Sequence, residues 1–128
     1  MRSKVIQVKY SEPELKEIIE GIIGKNFFIF CNDTISQVVS ELNLPARLMN
    51  QITITLQTHH GNMGLVSKSL YLIILRIQDT LEENEKTLIH ETIHVLKPTW
   101  DENTVEEATN KIYQENTKEI LIWRLHCF

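Results

Sequence analysis

The stretch between Thr80 and Pro98 has little choice but to be a helix. A proline drives the residue before it out of the α region, so Pro98 sets the far limit. Gln78-Asp79-Thr80 supplies capping side chains at the near end. Between them Leu88, Ile89, Ile93, Val95 and Leu96 fall in one broad arc at ~100° per residue. A helix from about Leu81 to Leu96 is predicted. His90 and His94 lie four residues apart, opposite the centre of that arc, and so stack on one side of the helix. One side of the helix is expected to face a core, and the other to present both imidazoles away from it, as a site in a cleft requires.

With Glu91 between them, these histidines form the pattern H-E-x-x-H over His90-Glu91-Thr92-Ile93-His94. With five His in the chain, random placement would give on the order of 0.02 such matches, so coincidence is a poor explanation. Two neutral imidazoles at that spacing can reach one metal ion at ~2.0–2.1 Å, leaving room for a third protein ligand and a water. Glu91 sits one position round the helix from His90, placed for general base work on the attacking water. The third ligand is sought after the motif, where Glu102, Glu106 and Glu107 are the candidates. Glu102 and Glu106 are one helical turn apart and share a face. Thr99-Trp100-Asp101-Glu102 also reads as a T-x-x-E capping box, a structural use for Glu102.

The rest of the chain reads as a single domain of mixed helix and strand over residues 1–128, with no repeats and no linker. Val5–Tyr10 is read as a short opening strand. Ser11-Glu12-Pro13-Glu14 opens a helix with Ser11 as cap; Leu15, Ile18, Ile19, Ile22 and Ile23 carry it to Gly24. Phe27–Cys31, wholly apolar, is expected to be a buried strand, and Asn32-Asp33-Thr34 to cap a second helix carrying Ile35, Val38, Val39 and Leu42. Pro45 opens a short helical turn through Met49. Ile52–Gln57 alternates as a half-buried strand, a loop with Gly61 and Gly64 follows, and Ser69–Ile77 is a second strand. A last helix starts near Thr99–Asp101 and runs to at least Tyr113, while Glu119–Phe128 suits either helix or strand.

Thirteen Lys+Arg against seventeen Asp+Glu give a net charge of −4, which provides no basic footprint for nucleic acid. The amino-terminal residues lack the apolar core of a secretory signal. The longest apolar run, Leu70–Leu75, is far below the ~18 residues a membrane span needs. Cys31 and Cys127 are read as ordinary thiols rather than a disulfide framework. These readings together point to a cytoplasmic protein with neither nucleic acid nor membrane as partner.

The stretch Leu88–Val105, with H-E-x-x-H, a short loop containing Pro98, and Asp101-Glu102-Asn103-Thr104-Val105, resembles the active-site core of small zincin-like metallopeptidases of phages, other mobile elements and their hosts. Ile122-Trp123-Arg124-Leu125 is similar to the end of that family's last helix, and the Tyr71–Ile77 strand matches its sheet strand in position. The likeness covers roughly residues 59–126, and its motif portion alone is specific; Lys97 departs from the aromatic residue common there. The resemblance implies an α+β, minimal zincin-like fold: a small twisted sheet packed on the motif helix and a C-terminal helix. It also implies one Zn²⁺ per chain held by His90, His94 and Glu102, with Glu106 as the alternative third ligand. The activity implied is hydrolysis of a peptide bond, in a peptide or protein substrate, by zinc-activated water with Glu91 as general base. The competing reading is a non-catalytic zinc-binding regulatory or protein-interaction module on the same fold.

Other residues are weighed against plainer roles. His59 and His60, before Gly61, are expected to form a polar turn, with oxyanion stabilisation as the alternative. Tyr71 and Tyr113 are read as core residues first and oxyanion donors second. Trp100 and Trp123 are read as packing residues, and His126 as incidental.

Overall fold

The structure, a computed structural model, describes residues 5–58, 64–67 and 71–126. Its elements in chain order are β1 (Gln7–Tyr10), α1 (Leu15–Ile23), α2 (Phe27–Glu41), a 3₁₀ helix (Ala46–Gln51), β2 (Thr53–Gln57), β3 (Gly64–Ser67), β4 (Leu72–Arg76), α3 (Leu81–Leu96) and α4 (Glu102–His126). The four strands form one sheet in the order β1-β2-β4-β3. β1, β2 and β4 run parallel, and β3 pairs antiparallel with β4 at the edge. The chain is thus a mixed helix-and-sheet protein.

The sheet buries one face. Ile54, Leu56, Ile73 and Leu75 are buried and alternate with half-buried Thr53, Thr55, Leu72 and Ile74, as the period of two demands. α3 packs on β3 and β4, and α2 and α4 flank it. The main core joins these strand residues to Leu15, Ile19 and Ile23 of α1, to Phe27, Phe30, Cys31, Ile35 and Val39 of α2, and to Leu88 of α3. A second cluster, Val38, Ile89, Ile93, Val105 and Ile112, seals α2, α3 and α4 together.

Several expectations change here. Phe27–Cys31 is not a strand but the opening of α2, which runs unbroken through Asn32-Asp33-Thr34. Its buried residues Phe27, Phe30, Cys31, Thr34, Ile35, Val38 and Val39 recur at helical spacing. Phe28 and Ile29, 37% and 54% exposed, fill the solvent side of the first turn and disguise that period. The cap is Asn26, whose side chain accepts the Ile29 N–H at 3.0 Å. Glu20, in the last turn of α1, accepts the Phe27 N–H at 2.7 Å, and this bond holds its carboxyl below the usual range. Gly24 turns the chain between them at φ +72°, donating its N–H to the Glu20 carbonyl.

Ser11 does not cap α1. Its N–H donates to the Leu56 carbonyl at 3.0 Å, prolonging the β1 ladder, and the helix begins at Leu15 after a turn. β3 replaces part of what reads as a loop around Gly64; four residues are too few to show an alternation. The strand expected over Ser69–Ile77 is observed as Leu72–Arg76, because Tyr71 takes a left-handed conformation at φ +50°. The turn expected after Pro45 is a 3₁₀ helix that runs on to Gln51, and the α3 limits stand as read. The ambiguous tail is helical, with α4 reaching His126. Among the described residues, no helix is long and apolar enough to cross a membrane.

Candidate metal centre

Two features fix where α3 begins. Thr80 caps it: the Thr80 hydroxyl oxygen accepts the Glu83 N–H at 3.1 Å and donates to the Glu83 carboxylate at 3.0 Å. Asn84, 6% exposed, ties the helix to the end of the sheet. Its Oδ1 accepts the Gln78 N–H at 3.0 Å, and its Nδ2 donates to the carbonyls of Gln78 and Thr80 at 3.1 and 2.7 Å. Every polar atom of that amide is therefore engaged, as burial requires. Gln78 reads in the sequence as a candidate cap, and Asn84 does not stand out; an Asn on the buried side of the helix is the available signal.

At the other end of α3, Lys97 N–H donates to the Ile93 carbonyl at 2.7 Å, and Trp100 N–H to the Lys97 carbonyl at 3.1 Å. This turn around Pro98 returns the chain against α3. The expected Thr99–Glu102 capping box does not form. Asp101 caps α4 instead, its Oδ1 accepting the Thr104 N–H at 2.8 Å, a bond that lowers the Asp101 pKa. Glu102 becomes the first residue of α4, and its carboxylate turns elsewhere.

It turns to the histidines. Glu102 Oε1 lies 2.7 Å from His90 Nε2, and Oε2 lies 3.1 Å from His94 Nε2. The two Nε2 atoms are 3.2 Å apart, with the rings edge to face at 70°. One ligand atom from each of these three residues fits within 4.8 Å, a group that could hold a metal ion. The two histidines face different oxygens of the one Glu102 carboxylate, and ligands at ~2.0–2.1 Å in a tetrahedron stand about 3.3 Å apart, so small side-chain adjustments would bring one atom of each residue onto a common ion. Two imidazole nitrogens and a carboxylate oxygen also suit zinc chemically. Ile89 and Ile93 behind the histidines pack against Val105, one turn after Glu102, so core packing sets this spacing.

Glu91, half-buried, stands next to His90. Burial raises its carboxyl pKa, the adjacent His90 and His94 pull it back, and Glu102 adds to the rise. Thr92, in the variable part of the motif, is fully buried, and its hydroxyl donates to the Leu88 carbonyl at 2.6 Å. Glu106 lies outside the three-atom group, with Oε2 3.7 Å from His90 Nδ1, the other ring nitrogen. Glu107 is exposed and is not part of the group.

The remaining candidates divide simply. His59, His60 and Gly61 lie outside the described residues, as does Cys127. Tyr71 packs against the main core and Tyr113 against the second cluster, where the Lys86 ammonium sits 4.8 Å from the Tyr113 ring centre. Trp100 packs on the second cluster under Lys97. Trp123 and His126 lie in the last turns of α4. Cys31 is a free, buried thiol. No family model, curated protein or solved structure matches the chain.

Proposed function

We propose that the chain is a zinc-dependent peptidase that hydrolyses a peptide bond in a peptide or protein substrate. The observation that carries this reading is the convergence of His90, His94 and Glu102, one ligand atom from each within 4.8 Å of the others, with Glu91 beside them on α3. His90 and His94 would hold the ion through Nε2 and Glu102 through a carboxylate oxygen. Zinc bound there supplies Lewis acidity, polarising a carbonyl and making water a nucleophile near neutral pH.

The chain's own residues then have defined tasks. Glu91 accepts one proton from the attacking water and passes it to the amide nitrogen as the carbon–nitrogen bond breaks. Proton and electron pair thus leave together with the amine, and Glu91 is restored as a carboxylate. β3 is an edge strand with α3 packed against it, so an extended peptide pairing with that edge would run beside the motif helix.

The test is digestion of a mixed peptide library by the zinc-loaded chain in ¹⁸O-water, read by mass spectrometry. The native protein is expected to generate new carboxyl termini carrying one ¹⁸O. Glu91→Gln should keep zinc and lower the rate by about 10²–10⁴-fold. Stoichiometric zinc in both proteins with no new termini in either would contradict catalysis and favour a zinc-binding interaction module.

A further inference from the structure

We infer that Glu106 is a positioning residue for His90, its carboxylate accepting the Nδ1–H so that Nε2 presents its lone pair to the metal. This rests on the metal site proposed above and assigns Glu106 a role distinct from that of a ligand. The two nitrogens of the His90 ring face two different carboxylates. Nε2 faces Glu102 at 2.7 Å, and Nδ1 faces Glu106 at 3.7 Å. Glu102 and Glu106 are one turn apart on α4, so the helix that carries the first to the metal side carries the second to the back of the same ring.

The chemistry makes the arrangement useful. A neutral imidazole carries one proton, and with that proton on Nε2 it offers the site no lone pair. A carboxylate at Nδ1 selects the opposite tautomer, fixes the ring plane and raises the basicity of Nε2. The 3.7 Å separation exceeds the 2.7–3.2 Å range of a formed hydrogen bond. The Glu106 side chain is 62% exposed, and in the proposed arrangement its carboxylate moves toward Nδ1 to form the bond. His94 has no such partner in the described ion pairs, which leaves His90 as the ring whose orientation depends on α4 twice.

Zinc affinity is measured by competition with a chromophoric chelator for the full chain and for Glu106→Ala, Glu106→Gln, Glu102→Ala and Glu107→Ala. Glu106→Ala should weaken binding by roughly 10–100-fold while still taking up one zinc at saturation. Glu106→Gln, which keeps an acceptor oxygen, should recover much of the loss, and Glu107→Ala should bind as the native chain does. In ¹⁵N spectra of the zinc-loaded proteins, the His90 Nδ1–H signal should resist exchange in the native chain and broaden away in Glu106→Ala, a change that a general loss of stability would not produce. Unchanged affinity in Glu106→Ala, with binding abolished in Glu102→Ala, would overturn the Glu106 role and leave the metal site standing. Abolished binding in Glu106→Ala with binding retained in Glu102→Ala would make Glu106 a ligand, which also overturns it. No zinc uptake by the native chain would remove both readings.

Discussion

Asn84 shows how much the seating of the motif helix depends on a residue that never touches its histidines. Its amide closes three hydrogen bonds that pin the first turn of α3 to the end of β4. Replacing it with Ala leaves the N–H and carbonyl of buried Gln78 without these partners, while the Thr80 carbonyl keeps the backbone N–H of residue 84, at a cost of about 1–3 kcal/mol. Urea unfolding of Asn84→Ala should show that loss, and a midpoint equal to the native one would contradict it. Cys31 allows a pH test. Burial pushes its thiol well above the ordinary value, so the unfolded chain loses this proton first. Stability from this group is complete below about pH 8.5 and falls above it, by on the order of 1 kcal/mol per pH unit. Between pH 7.5 and 9.5 the native chain should lose more stability than Cys31→Ala; equal losses would refute the assignment. At this scale the residues that cluster are largely legible in the sequence. His90, Glu91 and His94 announce themselves by spacing, whereas Glu102 and Glu106 could be told apart only once α4 had a rotation about its axis.

Helices whose apolar residues keep one side were readable, and helices with apolar residues on two sides were not. α3 is bounded correctly because Thr80 and Pro98 act locally and, after exposed Leu81 at its start, its solvent side is polar. α2 was divided in two because Phe28 and Ile29 face solvent, so a short window saw only an apolar run. What decides between strand and helix there is Asn26 together with Glu20, a carboxylate contributed by the preceding helix. The α4 cap failed for a related reason: Thr99 and Asp101 both suit the cap, and the turn through Pro98 selects Asp101. The α3 cap can be tested directly. Thr80→Ala removes the acceptor for the Glu83 N–H and should cost about 1 kcal/mol. Thermal melting of Thr80→Ala and Thr80→Ser would show it, with Ser restoring most of the loss; no difference between the two would contradict the capping role.

Across the whole molecule, the sheet was the least legible part. Strand order depends on pairings between distant segments, and nothing local in Val5–Tyr10 says that it lies beside Ile52–Gln57 and parallel to it. β3 escaped notice because its identity comes from its pairing with β4 rather than from its own four residues. The finished arrangement nonetheless explains why His90, His94 and Glu102 meet. The sheet seats α3, the second core cluster seats α4 on α3, and the turn between the two helices leaves Glu102 facing the histidines. A ligand that binds only this assembled state must stabilise it. Zinc at 100 times its dissociation constant would add about 2.7 kcal/mol, a rise in Tm of roughly 10 °C for a chain of this length. The most direct measurement is therefore a zinc titration of the metal-stripped full chain, with bound metal and Tm followed together, beside His94→Ala. One zinc per chain with a Tm rise of that order, both lost in His94→Ala, is the predicted result. No bound zinc and an unmoved Tm in the native chain would contradict the metal centre.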